Sequence, residues 1–249
     1  MGRPRLPAEL KARRGTLRKH RERKTCRKPA TSFPASPVNR DYLGLAADYA
    51  AGVAPGVIVT GQWTRLAIER DRRDQERAAT DPSWPYLFSD EHAIDVCQFI
   101  ERLPHVEGRW PTPTIVLQGW QAWLLSRLYG WRHRDDLSRR RFTSLYLETG
   151  RKSAKSTLTA GLALYHLLHE DEPGASVVCG ATTGAQARVC FSIAQRMVQR
   201  SAWLRDGGLQ AWAHAVTHEA IGGSMRPVNS KAQSLDGLNP SCIVLDESH

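Results

Sequence analysis

The sequence predicts an α/β fold, a parallel sheet with helices on both faces, preceded by a helical segment. Three observations lead there. From residue 142 onward, short apolar runs alternate with longer amphipathic ones, the pattern of strands joined by crossover helices. The runs "SVVCGA" (176–181) and "CIVL" (242–245) are continuously apolar, as expected where both faces of a strand are covered. Before residue 107, only helical spacing and proline-punctuated connections occur.

The elements follow in order. "RDYLGLAADYAAGV" carries Leu43, Ala46, Ala47 and Ala50 at helical spacing, and "GQWTRLAIERDRRDQERAA" has one apolar stripe on a highly charged helix. "SDEHAIDVCQFIERL" opens with Ser89 as N-cap and acids in its first turn. Pro82, Pro85, Pro104, Pro111 and Pro113 break the connections. "GWQAWLLSRLYGWR" reads as a Trp-rich helix whose Trp120, Trp123 and Trp131 are expected in the core. "FTSLYLE" (142–148) reads as a short strand and "KSTLTAGLALYHLLHE" as a helix. After "SVVCGA" comes the helix "TGAQARVCFSIAQRMVQR", with Val189, Ile193, Met197 and Val198 on one face. "AVTHEAIGGSMRPV" predicts a hairpin around Gly222 and Gly223, and "SCIVLDESH" a strand ending in two acids. The predicted domains are a basic arm (1–40), a helical segment (41–107) and a sheet-bearing part (108–249).

Charge is concentrated in the arm. Residues 1–40 hold 13 Lys and Arg against 2 Glu, whereas the other 209 residues hold 22 basic and 23 acidic side chains. So dense a run of like charge with few packing residues is expected to be disordered alone and suits a polyanion. A phosphate backbone contacted by about 6–10 such charges would give steeply salt-dependent binding. No apolar run reaches the roughly 18 residues of a membrane span, and no apolar stretch follows the basic residues as in a secretory signal. Cys26, Cys97, Cys179, Cys190 and Cys242 are odd in number and lack CxxC spacing, against a disulfide framework or zinc site and in favour of a reducing cytoplasm. His214 and His218 are four apart but lack the glutamate of a zinc-binding helix, so they read as surface or packing histidines.

"LYLETGRKSAKST" (145–157) poses the chemical question. In the frame G-x-x-x-x-G-K-[ST], Lys155 and Ser156 fill the lysine and hydroxyl positions, but Thr149 and Ala154 replace both glycines, and Gly150 comes one residue late. Such a loop aims backbone N–H groups at an anion at a helix N-terminus. Its lysine neutralises the β and γ phosphates, and the neighbouring hydroxyl ligates Mg²⁺. A left-handed Ala154 would cost roughly 1–2 kcal/mol, which a domain can absorb. At the end of the last strand, Asp246 is placed to hold the Mg²⁺ shell and Glu247 to activate a water. Ligands of open α/β sheets bind at the carboxyl ends of the strands, where both segments are expected.

Together with "IVTGQWTRLAIERDRRDQE", "LQGWQAWLLSRLYGW", "TGRKSAKSTLTAGLALYHLL", "GATTGAQARVCFSIAQRMV" and "SLDGLNPSCIVLDESH", these segments resemble, in order and spacing, the large subunit of tailed-phage terminase, the ATPase that pumps viral DNA into a procapsid. The resemblance runs from about residue 41 to the end. It implies a P-loop NTPase fold of the additional-strand class, with ATP and Mg²⁺ as cofactors. Lys155 is similar to the phosphate lysine, Ser156 to the magnesium hydroxyl, Arg151 to the loop arginine near the γ-phosphate and Gln121 to the glutamine that reads the adenine edge. Asp246 resembles the metal-shell acid and Glu247 the catalytic base. Gly150, Arg151, Lys152, Ser153, Ala154, Lys155, Ser156 and Thr157 are the implied nucleotide cradle. Ala154 departs from the family pattern, and the alternatives are a solvated cation for Arg151 and a helix-surface residue for Gln121.

The family implies double-stranded DNA, a terminase small subunit, a portal or procapsid and a homo-oligomeric ring as partners, in the cytoplasm of an infected or lysogenic bacterial host. A neighbouring subunit would donate a cation to the γ-phosphate, with Arg226, Lys231 and Arg188 as candidates. In that class a central strand, carrying the coupling motif, follows the acidic strand in sequence; a nuclease domain follows as well. Neither is expected within these 249 residues, so the chain is expected to be inactive alone. Two other readings are a DExH-type helicase, suggested by "DESH", and a non-catalytic DNA-binding protein acting through its arm. "GRPRLPAELKARRGT" resembles the start of one type of terminase small subunit.

Overall fold

A computed structural model describes residues 40–150, 152–169, 172–181, 183–229 and 239–245. The arm lies outside the described residues except for Arg40, as do Arg151, Lys231, Asp246, Glu247 and most of "SLDGLNP".

The helical half forms where the spacing predicts it. Helix α1 (Tyr42–Val53) is capped by Asp41, whose carboxylate accepts from Gly44 N at 2.8 Å. Helix α2 (Gln62–Thr80) follows, then strand β1 (Tyr86–Phe88) and helix α3 (Asp90–Arg102), whose first turn Ser89 caps as expected. The buried Glu101 of α3 ties this part together. It receives Tyr42 Oη at 2.8 Å and Leu117 N at 2.7 Å, and it pairs with Arg40. Every lone pair so used removes the penalty of a buried carboxylate.

Helix α4 (Gly119–Gly130) is shorter than its pattern suggests. Trp131 and Arg132 leave the helix for strand β2 (Trp131–His133), which pairs antiparallel with β1, Phe88 opposite Trp131. A three-residue strand has too few positions to show a period, so only the pairing reveals it. Gly130 makes the junction: a Cβ there would meet Phe88 Cε2 at 2.5 Å. Trp123 and Trp131 are buried as expected, and Trp120 is half-buried.

Two acids on the inner side of α2 hold this layer. Asp71 pairs with Arg127 at 2.9 Å and accepts from Trp131 Nε1 at 2.8 Å, while Asp74 pairs with Arg141 at 2.8 Å. The Arg141 guanidinium also lies over the rings of Trp84, Tyr86, Trp131 and Phe142, at 4.7–5.3 Å from their centroids. Stacking on π-faces is the role in which arginine differs most from lysine.

The second half is built on a five-stranded sheet. Helix α5 (Lys155–His169), strand β3 (Ser176–Ala181) and helix α6 (Gly184–Arg200), capped by Thr183, occupy their predicted spans. A short helix α7 (Ala202–Asp206) leads to β4 (Leu209–Ala211), which the sequence does not announce. Strands β5 (Val216–His218) and β6 (Gly223–Asn229) form the expected hairpin, turning at Gly222 with φ of 68°. Strand β7 (Cys242–Leu245) completes the order β4-β5-β6-β3-β7, with β3 parallel to both β6 and β7.

One core runs across both halves. Phe99, Ile100 and Leu103 of α3 join Leu158, Leu162 and Tyr165 of α5, Phe191, Ile193 and Met197 of α6, and Val177, Cys179 and Met225 of the sheet. Both long helices therefore cover the same sheet face. Gly161 lets α5 approach α3 closely, since a Cβ there would meet Ile100 Cδ1 at 2.7 Å and Leu103 Cδ1 at 2.8 Å. Val189, expected on the inner stripe of α6, is exposed, and Cys190 and Ala194 take the inner positions instead.

Two expectations about strands fail. Residues 142–148 form no strand and join no ladder among the described residues, and Leu145 and Tyr146 are exposed. Among the described residues β7 pairs with β3 alone, and Ile243 and Leu245 are 56% and 66% exposed rather than buried. Apolar runs measure the tendency to be covered, but a strand exists only where a partner supplies its hydrogen bonds.

Candidate functional site

The loop between residues 142–148 and α5 has the conformation its residues resist. Lys152 and Ala154 have φ of 65° and 61°, the only non-glycine positive values among the described residues, and Ser153 between them does not share it. For residues with a Cβ this left-handed state costs about 1–2 kcal/mol each. Such strain persists only where the surroundings impose it, most often at ligand sites. Left-handed residues set in a turn are a feature of the backbone nests that bind anions.

Short polar side chains brace the loop. Ser153 Oγ donates to Gly150 O at 2.8 Å, Thr149 Oγ1 donates to the same carbonyl at 3.2 Å, and the two hydroxyls touch each other. Lys155 is the first residue of α5, and its ammonium reaches back across the loop to donate to Thr149 O at 3.1 Å. The cation is thus held over the loop at the positive end of the helix. Behind it, Thr159 Oγ1 donates to Lys155 O at 3.0 Å and touches Cys190 Sγ, fixing the first turn of α5 on α6. Ser156 and Thr157 lie in that first turn, half-buried. The roles of Thr149, Ser153 and Thr159 escape sequence reading, because hydroxyl bracing depends on backbone angles that no residue spacing encodes.

The chemistry of this donor set fits a phosphate group and a hydroxyl-liganded divalent cation. Backbone N–H groups, the Lys155 ammonium and the Ser156 hydroxyl are all supplied at one helix start, and no carboxylate occurs among residues 149–157.

The other candidates fall in three places. Gln121 is buried in the first turn of α4, where its Oε1 accepts from Gln118 N at 2.9 Å. Its carbonyl is therefore committed to the helix start, leaving the amide nitrogen for other contacts. Arg188 is exposed near the start of α6, and Arg226 is exposed on β6 beside Val178; neither has an acid partner among the described residues. β7 runs parallel to β3 up to Leu245, opposite Gly180. Arg151, Asp246, Glu247 and Lys231, and with them the expected meeting of loop and acids, lie outside the described residues.

His218 is buried in β5 and His214 is exposed, and no group of three or more potential metal ligands occurs among the described residues. Cys97 is a buried thiol, and Cys179 Sγ lies 3.9 Å from Cys190 Sγ, a contact between thiols rather than a disulfide. No helix among the described residues is long and apolar enough to cross a membrane. Outside the loop, burial raises the Asp71 carboxyl above its usual range, against the pull of Arg127 and the Trp131 hydrogen bond.

A left-handed, hydroxyl-braced loop at the head of a helix, packed with a partly parallel sheet, is the fold of an α/β domain of the phosphate-binding loop class. The family model for the terminase large subunit, ATPase domain, matches residues 119–249, more than half of the chain, and the chain belongs to that family. The fold is similar to the large terminase of bacteriophage HK97, with a TM-score of 0.51 and 24% identity over 62% of this chain. The chain covers 31% of that protein's length. No curated protein matches it.

Proposed function

We propose that this chain is the nucleotide-binding portion of a DNA-packaging motor, binding Mg-ATP on residues 149–157 and hydrolysing it to move viral double-stranded DNA into a procapsid. The observation that carries this reading is the left-handed pair Lys152 and Ala154 beneath the Lys155 ammonium, in a chain of the terminase ATPase family.

The chain's own residues divide the work. Lys155 exchanges the Thr149 carbonyl for β and γ phosphate oxygens, a stronger, charge-assisted bond. N–H groups of the loop hold the remaining oxygens, with Gly150 leaving open space for their approach. Ser156 would ligate Mg²⁺ with Asp246, and the ion would neutralise charge on the β and γ phosphates. Glu247 accepts the proton of the attacking water, and Arg151 stabilises the γ-phosphate. Gln121 offers its amide nitrogen to the adenine edge. A small subunit, a portal and neighbouring copies of the chain are the proposed partners, with Arg188, Arg226 or Lys231 as the cation presented across copies. The division into arm (1–40), helical segment (41–107) and ATPase part (108–249) is proposed as functional, since one core spans residue 107.

Hydrolysis by these 249 residues alone is proposed to be negligible. The reading is supported by the lack, among the described residues, of a ladder partner for residues 142–148 and for the outer edge of β7. Titration of the chain with a fluorescent ATP analogue and Mg²⁺ tests the site. Lys155→Ala is expected to weaken binding at least about tenfold, the cost of one lost charged phosphate contact. Unchanged affinity would remove the loop from the account, and robust Lys155-dependent turnover by the chain would overturn the proposed inactivity.

A further inference from the structure

The loop before α2 and the outer face of that helix carry a surface that the nucleotide site does not use. Val57, Val59 and Trp63 are 80%, 91% and 79% exposed, and Ile58 and Leu66 are also exposed. Single exposed apolar side chains are ordinary, but five within ten residues mark a contact surface.

Trp63 and Leu66 are three apart and share one face of α2, and Arg70 and Arg73 continue the same line at seven and ten residues from Trp63. The face is rigid from behind. Asp71 and Asp74 are anchored to Arg127 and Arg141, and Ala67 and Ile68 pack against the cluster of Ala46, Ala122 and Trp123.

Turning those two acids inward changes the surface charge. By sequence α2 is nearly balanced, five arginines against four acids. On the exposed side, Arg72 pairs with Glu76 and Arg77 with Asp81. Arg65, which donates to Thr60 O at 2.9 Å, and Arg73 then face solvent with only Glu69 to oppose them and no ion pair among the described residues, while Arg70 lies over the Phe142 ring at 4.8 Å and close enough to Asp71 to pull on its carboxyl.

We propose that this surface docks an acidic amphipathic helix of a partner protein. The apolar patch takes the partner's aliphatic or aromatic anchors, and Arg73 takes a carboxylate on the same partner face, with the positive charge of Arg70 beside it. Leu66 and Arg73 are seven residues apart, about 10 Å along the helix, so the partner presents its acids roughly two turns beyond its anchors. Duplex DNA fits less well: Val57, Val59 and Leu66 gain nothing from phosphates, and Glu69 repels them. The proposal is independent of the ATP site, and either can fail without the other.

The test uses four fluorescent probes with the whole chain. These are a helical peptide with leucines over one half of a face and glutamates over the other, a scrambled peptide of the same composition, a version with lysines for the glutamates, and duplex DNA. Fluorescence anisotropy is read for the wild type, Trp63→Ala, Val59→Ser and Arg73→Glu. All three positions are exposed, so unchanged thermal melts are expected of the variants. The patterned acidic peptide should bind about tenfold tighter than the scrambled one, whose equal charge reports any pull from the basic arm. Trp63→Ala and Arg73→Glu should each remove most of that preference, as expected of anchor positions. Equal binding of patterned and scrambled peptides, or equal binding to wild type and variants, overturns the proposal. So does a pattern in which duplex DNA, and not the peptide, responds to Trp63→Ala and Arg73→Glu.

Discussion

Phe142 separates two ways in which a chain can meet its surroundings. Before it, Asp71, Asp74, Arg127 and Arg141 are matched in pairs, and Arg141 sits among four rings. After it, residues 142–148 join no ladder among the described residues, and β7 has a partner there on one edge alone and two exposed apolar side chains. The first region is satisfied by side chains that reach one another from nearby elements. A sheet edge has no such remedy, because its N–H and C=O groups require another strand. Side-chain pairing thus holds the helical layer, while at β7 one strand edge has no partner among the described residues.

Substitutions break or sharpen this contrast. The largest effect is expected for Arg141→Ala, which leaves Asp74 half-stranded and empties the aromatic box. Losing one partner of a largely buried pair costs about 3 kcal/mol. Ile243→Ser on the open edge should stay within about 0.5 kcal/mol. Urea denaturation of both variants checks the pair, and equal costs would erase the distinction. Gly161→Ala comes next, at about 1–3 kcal/mol for forcing a methyl against Ile100 and Leu103, read in the same titration. Ala154→Gly should act in the opposite direction, stabilising by up to about 1 kcal/mol as left-handed strain is released. A shift of the midpoint to lower urea would show that the strain is not there.

The smallest effect is a pH dependence. The Asp71 carboxyl is raised by burial above its usual value of 3.8. A raised folded value means that its contribution is full below about 3.8 and is lost as pH rises through the folded value. The stability of the wild type relative to Asp71→Asn should therefore decline from acid pH toward neutrality and then level off. A difference that grows with pH would place the dominance with Arg127 instead.

Much of the fold is legible in the residues because it rests on local rules. Ser89 and Thr183 cap where hydroxyls precede helical runs, and "SVVCGA" is β3 residue for residue. The loop lysine at the head of α5 is legible for the same reason: a strand-like run, small polar residues and Lys-Ser follow one another along the chain. Val189 was misplaced because an apolar residue one step off the inner stripe looks the same in a short window. β1, β2 and β4 are too short to carry any pattern.

Local rules set the helices, the hairpin turn at Gly222, the place of Lys155 and Ser156 at the head of α5 and the terminase likeness, since each depends on neighbours within a few residues or on ordered motifs. The tertiary structure was needed to show that Asp71 and Asp74 face inward, that a basic and apolar surface remains on α2, that Ala154 is left-handed, and that 142–148 and one edge of β7 have no strand partner among the described residues. The physical reason is range. Propensity and capping act over one turn, whereas ion pairing, strain and strand pairing are settled by segments that are distant in the chain and adjacent in space.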